Sequence, residues 1–183
     1  LSPKVLDRAH VLRFRNPVLM DWDAIEAEVE HFDVDVDLPL RLTADDLGLR
    51  SNYPPYDRSD PHAALLTKLA RLYLDPLGVE FGLRAIRQSL GYMQAARQAG
   101  IGDLEALDNV VQQKILPKLM FDTGRTAPNG RSKREILIEL RDALDTALQG
   151  LQPTAGKETS VAALDRLIAS VDGNNGIANY WLR

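Results

Sequence analysis

The sequence contains no cysteine, and this absence excludes several classes of site at once. Among its 183 residues there is no thiol that could form a disulfide, ligate a metal or act as a nucleophile. The histidines, His10, His31 and His62, follow no metal-ligand spacing such as HExxH. We therefore predict no metal site. A chain without cysteine also suits a reducing cytoplasm, which is the compartment that we expect.

Long apolar runs and an excess of positive charge are absent as well. No stretch approaches the roughly 20 apolar residues of a transmembrane helix, so we expect no contact with a membrane. The formal net charge is -4, and the chain lacks the overall basic footprint of a nucleic-acid-binding domain. Hydrophobic residues make up 45% of the chain and charged residues 26%, which is ordinary for a globular protein.

The motifs that complete nucleotide hydrolysis are missing. A phosphate-binding loop needs GxxxxGK[ST] after a strand. The nearest string, GLQPTAGKET in Gly150–Thr159, has five residues between its glycines and a glutamate after its lysine. It follows a predicted helix, so we interpret it as a flexible loop. No apolar run ends in the paired acids that accompany such a loop. These residues therefore cannot complete nucleotide hydrolysis by themselves.

Apolar residues at helical spacing predict a mainly α fold with about five helices between residues 61 and 183. Asp60 and Pro61 are a cap and a first helical residue, and Gly100 ends the second helix. The predicted buried stripes are Leu65, Leu69 and Leu72, widened by Leu66 and Tyr73; Leu83, Ile86, Leu90 and Met93; Leu104, Leu107, Val111 and Ile115; Leu137, Leu140, Leu144 and Leu148; and Val161, Leu164, Ile168 and Val171.

Further signals set the limits of the later helices. Asp103 and Ser160 are the expected caps of the third and fifth helices, and Ser132–Glu135 reads as a capping box for the fourth. Pro117 is expected to bend or end the third helix. We predict a loop over Met120–Arg131. The last aromatic residues of the chain, Tyr180 and Trp181, are expected to dock onto the helical bundle.

The first 42 residues follow a different pattern. Ser2-Pro3 is a helix-start signal, and His10–Arg15 alternates like a short strand. Asp33–Leu40, DVDVDLPL, predicts a half-exposed strand with its aspartates on one face. A divalent cation site is conceivable there, although a solvated edge that resists pairing with other chains is favoured. Because a lone strand leaves its backbone groups unpaired, we expect the sequence to open within a larger fold.

The string LSPKVLDRAHVLRF at Leu1–Phe14 resembles the segment that follows sensor 1 in AAA+ nucleoside triphosphatases. It is most similar to the McrB-like branch, the motor subunits of modification-dependent restriction systems. In that family an arginine at the end of a short helix acts on the nucleotide of the neighbouring subunit. The resemblance implies this catalytic role for Arg8, whose charge would neutralise a transferring phosphoryl group. The alternative is an arginine that pairs with Asp7 or compensates the helix dipole.

Two later strings resemble the helical lid of the same family. VEFGLRAIRQSLGYM at Val79–Met93 is similar to the sensor-2 segment, which implies that Arg84 binds nucleotide phosphates, with Arg87 as a weaker candidate. The alternative is that both arginines are solvated on the polar face of their helix. LEALDNVVQQKILPKLMFDTGR, in which Lys114 and Pro117 are the most recognisable residues, is similar to the segment after sensor 2, and the terminal NYW is similar to the family's ends.

The resemblance implies an AAA+ helical lid bundle of about five helices, with one or two short strands from the end of the α/β core. Residues 1–42 would end that core, 43–60 would form a linker and 61–183 would form the lid. The full-length protein would bind ATP or GTP with Mg²⁺, mainly through a preceding part, whereas this fragment alone would be inactive.

The implied partners are other copies of the chain in a ring, a hexamer in the full-length protein, and a nuclease subunit, with DNA reached through the complex. Two alternatives stay open: a non-catalytic helical scaffold that binds a protein partner, and a MoxR-like AAA+ chaperone. The basic loop that contains Arg125, Arg131, Lys133 and Arg134 could touch DNA, a nuclease or nucleotide phosphate, although a solvated loop is favoured.

Overall fold

The structure, a computed structural model, describes Val11 and residues 60–152, 154 and 156–182. The predictions for Arg8, for the strands before residue 42 and for the linker at 43–60 fall outside these residues. Within the described part the fold is mainly helical, as predicted, with one two-stranded antiparallel sheet. Its elements are the helices α1 (Pro61–Leu69), α2 (Asp75–Leu77), α3 (Leu83–Gln98), α4 (Asp103–Val110), α5 (Lys133–Ala147) and α6 (Ser160–Gly173), and the strands β1 (Met120–Asp122) and β2 (Ile177–Asn179).

The first helix begins where the sequence predicts. The Asp60 carboxylate accepts hydrogen bonds from the amides of His62 and Ala63, at 2.7 and 3.3 Å, and Pro61 occupies the first turn. These contacts satisfy two amides that an uncapped helix leaves without a partner. The capping prediction for α1 is therefore confirmed.

The predicted stripe of α1 is wrong in its last member. A π-helical turn, Ala70–Leu74, joins α1 to α2. This wider turn adds one residue to the helical repeat, so Leu72 is 50% exposed whereas Leu74 and Leu77 are buried. Pro76, which has no amide hydrogen, lies two residues after the last residue of the π-helical turn. The helix ends at Gly78, whose φ of +81° suits glycine.

Glycines lie at the C-terminal end of α3 and at the N-terminal end of α4. Gly100 follows α3 with a φ of +82°, and the amide of Ile101 donates to the carbonyl of Ala96 at 2.9 Å, which confirms the predicted stop. The predicted cap of α4 is wrong, because Gly102 is the cap and Asp103 is already helical. The stripe of α3 is shifted as well, since Leu83 is 53% exposed. Its buried residues are Ala85, Ile86, Ser89, Met93 and Ala96.

The α4 helix lies in the centre of the described bundle. Every residue from 106 to 111 is buried. The helix continues through a second π-helical turn, Val111–Ile115, and a 3-10 turn, Leu116–Lys118. It ends there because proline cannot donate the next helical hydrogen bond, as Pro117 predicts. None of the helices in the described part is long and apolar enough to cross a membrane.

The predicted loop at Met120–Arg131 begins instead with a strand. β1 pairs with β2 in an antiparallel register that places Phe121 opposite Ala178. A strand of three residues is too short to show alternation in the sequence. The chain end docks as expected, because the Trp181 indole donates to the carbonyl of Pro117 at 3.0 Å and the Tyr180 amide donates to that of Leu119 at 3.0 Å.

The last two helices, α5 and α6, pack against each other. Ser132 caps α5, with its hydroxyl 3.4 Å from the Glu135 amide, and the four leucines predicted to face inward are buried. For α6 the cap is Thr159 rather than Ser160. The buried face is also shifted, because Val161 and Ile168 are only partly buried. The residues that α6 buries are Ser160, Ala163, Leu164, Leu167 and Val171.

Candidate functional site

The N-terminal end of α3 lacks the groups that normally satisfy a helix start. Gly82 is the N-cap and offers no side chain to accept an amide hydrogen bond. The first turn, Leu83–Ile86, contains no acidic residue. The sequence accounts for this, because FGLR has no Ser, Thr, Asp or Asn at the capping position. The partial positive charge of the helix dipole is therefore not compensated by α3's own side chains.

Arg84 and Arg87 both lie on the exposed side of α3. They are three residues apart and hence neighbours on the helix surface. Neither side chain forms a hydrogen bond or an ion pair with another residue in the described part. The structure therefore brings the two predicted nucleotide-binding residues together. The third predicted site residue, Arg8, lies outside the described residues.

Two lysines from the end of the central helix contact the segments on either side of Arg84. The Lys118 ammonium donates to the carbonyl of Glu80 at 3.0 Å and lies 5.5 Å from the centre of the Phe81 ring. Lys114 is only 1% exposed, and its ammonium donates to the side chain of Gln88 at 3.1 Å. Both lysines therefore join the end of the central helix to the region around the start of α3. The sequence marks Lys114 only through the family resemblance and gives no sign of its burial.

Each cation of the basic loop has a partner within the described part of the chain. Arg131 pairs with Glu139. The other cations also have partners: Arg125 lies 3.4 Å from Asp122, Arg134 lies 3.5 Å from Asp172, and Lys133 donates to the carbonyl of Leu77 at 3.3 Å. These contacts favour the structural interpretation of this loop over a binding surface for DNA or phosphate.

A buried polar network joins α4 to the start of α6. The Asp108 carboxylate, 2% exposed, accepts the amide of Ser160 at 2.8 Å and the side-chain amide of Gln112 at 2.7 Å. Gln112 also donates to the carbonyl of Glu158 at 2.8 Å, and Lys157 donates to Asn109. The network fastens the loop after Gly150 to the bundle. Sequence reasoning missed it, because Asp108 and Ser160 are 52 positions apart.

The Asp108 network is structural rather than catalytic. Asp108 uses both oxygens on partners in the chain, and the shallow concavity above it is lined by α4 and by residues of the loop after Gly150, including the apolar Leu151. The described residues also hold no group of three or more His, Asp or Glu side chains that is suited to a metal ion. The open end of α3 is thus the better candidate for binding a ligand.

A family model described as Domain of unknown function (DUF8727) matches residues 41–175. This segment is well over half of the chain, which therefore belongs to that family. The match includes α1 to α6 together with Arg84 and Arg87, and leaves out Arg8 and β2. No curated protein and no solved structure matches the chain.

Proposed function

We propose that this chain carries the helical lid of an AAA+ nucleoside triphosphatase of the McrB-like type, and that Arg84 binds nucleotide phosphates. Under this proposal the full-length protein hydrolyses ATP or GTP with Mg²⁺ in a self-assembled ring, a hexamer, that drives a DNA-acting partner such as a nuclease subunit. Arg8 acts on the neighbouring subunit's nucleotide, and Arg87 is a secondary phosphate contact. The phosphate cradle and the Mg²⁺ ligands are supplied by residues outside this sequence.

The observation that carries the proposal is an exposed arginine in the first turn of an uncapped helix. A cation is disfavoured at that end, because the helix dipole is positive there. An anion is favoured there instead, since it is attracted by the amides of the first turn and by the guanidinium together. A phosphate also matches the fork of donors on Arg84, which favours paired, charge-assisted hydrogen bonds.

The packing of α3 supports a role in motion as well as in binding. α3 contacts both α1 and α4, so a force applied at Arg84 acts on a packed unit rather than on a loose loop. Lys114 adds a direct contact between α3 and the end of the central helix, and Lys118 adds one to the segment just before α3. A lid that closes on nucleotide and opens after hydrolysis needs this kind of coupling.

The test is the nucleoside triphosphatase activity of the full-length protein, with the variant Arg84→Ala. Loss of a charge-assisted contact worth ~1.5–3 kcal/mol should lower kcat/KM by about tenfold to a hundredfold. Arg8→Ala should cost more, about a thousandfold or above, as expected for an arginine finger. Arg97→Ala is the matched control, because Arg97 lies on the same helix but about 20 Å further along. If Arg84→Ala and Arg97→Ala both hydrolyse like the wild type, the proposal is wrong.

One observation favours the scaffold alternative. Leu83 is 53% exposed and lies one turn from Arg87 on the same face, and protein interfaces combine an apolar centre with an enrichment in arginine. A non-catalytic scaffold would hydrolyse no nucleotide either with or without Arg84, but it would lose its protein partner after Leu83→Ser. The MoxR-like alternative differs only in what the ring acts on, and the bound partner distinguishes it.

A further inference from the structure

We propose that Asn129 is a site of spontaneous deamidation, and that it reacts well before Asn175 in the folded protein. These two residues precede glycine in exposed turns, Asn129–Gly130 and Asn175–Gly176. Glycine has no side chain, so its amide nitrogen can approach a preceding asparagine side chain with little hindrance. The sequence alone marks both pairs equally, and the folded structure distinguishes them.

The reaction at Asn129 needs only water. The amide nitrogen of Gly130 attacks Cγ of Asn129, the new C–N bond closes a five-membered imide, and the bond from Cγ to Nδ2 breaks. Nδ2 leaves as ammonia with the proton lost by the attacking nitrogen. Water then opens the ring at either carbonyl and yields aspartate or isoaspartate. No oxidant, metal or enzyme is required.

The turn around Asn129 activates the carbon that is attacked. The Arg131 amide donates to Oδ1 of Asn129 at 3.2 Å, which polarises the side-chain carbonyl. Negative charge develops on that oxygen when the nitrogen attacks, so the same donor stabilises the addition step. The asparagine side chain is also exposed to the water that must complete the reaction.

The hydrogen bond of the attacking nitrogen opposes the reaction, and it must break first. The Gly130 amide donates to the carbonyl of Ala127 at 2.9 Å. The turn around it is held by the Ala127 amide, which donates to the carbonyl of Arg131 at 2.8 Å within the isolated bridge between Thr126 and Ser132, and by the contact of the Arg131 amide with Asn129. Opening this turn leaves the helices in place, so it is a low-cost local opening.

Asn175 is held by a more demanding set of contacts. The Gly176 amide donates to the carbonyl of Val171 at 2.9 Å at the end of α6. The Gly176 carbonyl accepts the amide of Thr123 at 2.8 Å and the hydroxyl of the same residue at 2.6 Å. Freeing the nitrogen of Gly176 therefore disturbs the β1–β2 pairing and the end of α6. This larger opening is rarer, so attack on Asn175 should be slower.

The test is a time course on the whole folded chain at mildly alkaline pH, followed by tryptic digestion and mass spectrometry. The peptide TAPNGR, Thr126–Arg131, contains Asn129 as its sole asparagine, and Leu167–Arg183 contains Asn175. We expect TAPNGR to convert first to the acid, with a mass gain that corresponds to replacement of NH by O, and to give two products of different retention. The Asn175 peptide should stay largely unconverted over the same period.

Two controls keep the outcome decisive. In urea, where both turns are lost, the two peptides should convert at similar rates, which assigns the difference to the fold. Asn129→Gln keeps an exposed amide but would need a six-membered ring, so its peptide should stay unconverted. Equal rates in the folded protein, faster conversion at Asn175, or conversion of TAPNGR in urea alone would each overturn the proposal.

Discussion

The starts of α3 and α6 differ in the groups that can satisfy the first backbone amides of each helix. At α6 the Thr159 hydroxyl accepts the Ala162 amide at 3.2 Å, and the buried Asp108 carboxylate accepts the Ser160 amide at 2.8 Å. At α6 the chain itself supplies both the capping hydroxyl and the negative charge. At α3 the cap is Gly82, and the first turn holds Arg84 instead of an acid. A helix start that is already satisfied serves the fold, whereas one that is left open can serve a ligand.

Removal of the anion at α6 should have the largest effect on stability. Asp108→Ala leaves the Ser160 amide without its acceptor and removes one of the two acceptors of the half-buried Gln112 side chain. Hydrogen bonds to charged groups contribute ~1.5–3 kcal/mol each, so we expect a loss of about 3 kcal/mol or more in the free energy of unfolding. Urea denaturation measures it.

The matched control for Asp108→Ala is Asp145→Ala, which removes an exposed carboxylate that pairs with Arg141 at 3.2 Å. A pair of this kind should contribute less than ~1 kcal/mol. If the two variants unfold at the same urea concentration, the α6 start does not depend on its buried anion, and the contrast with α3 fails.

Supplying the missing cap at α3 should change the stability less than Asp108→Ala does, and it should raise the stability rather than lower it. A side chain at Gly82 would meet no described atom within 4 Å, and the residue does not need positive φ, so Gly82→Asp should be accommodated. We expect a gain of a few tenths of a kcal/mol in stability from the new cap. The same carboxylate should repel phosphate at Arg84 and weaken nucleotide binding by the full-length protein.

The opposite signs make Gly82→Asp informative. Thermal unfolding measures the first effect, and nucleotide titration measures the second. Gly82→Ala is the control, because it adds a side chain without charge. If Gly82→Asp binds nucleotide as tightly as Gly82→Ala does, phosphate does not approach the open end of α3.

The start of α4 should give the smallest effect, and it should depend on pH. The hydrogen bond from Arg97 lowers the pKa of Asp103 below its usual value. The folded state therefore binds this proton less readily than the unfolded state, so the pair stabilises the fold above the ordinary pKa of aspartate, and the effect disappears as pH falls through the folded pKa. Both side chains are exposed, so salt should weaken the effect.

The check is the difference in Tm between the wild type and Asp103→Asn across this acidic range. The difference should be small near neutral pH and should vanish in acid. A difference that persists at the lowest pH would assign the effect of Asp103 to something other than its charge.

The sequence predicts the features that depend on neighbouring residues. The structure confirms the predictions whose signal lies within a few positions of the sequence. These are the start of α1 at Asp60 and Pro61, the stops at Gly100 and Pro117, and the inward leucines of α5. The exposed arginines of α3 also follow from local pattern, because the polar residues of an amphipathic helix face water.

The remaining features depend on contacts between distant residues. The π-helical turn at Ala70–Leu74 shifts the buried face of the first helix, and packing rather than periodicity selects it. β1 forms because it pairs with β2, which lies more than 50 positions further along the chain. The Asp108 network joins residues with a similar sequence separation. The caps at Gly102 and Thr159 each lie one residue before the predicted Asp103 and Ser160, which both fall in the first helical turn.

The short β1–β2 ribbon has a consequence for the order in which the protein is built. It joins residues near Leu119 to residues near Tyr180 and so encloses α5 and α6 in a single loop. On the ribosome β1 emerges before α5 and α6, and its partner follows only after both helices have been synthesised. During that interval β1 lacks its partner strand, and the carbonyl of Pro117 lacks the Trp181 indole that later donates to it. Closure of the bundle therefore cannot precede the synthesis of both helices and of β2.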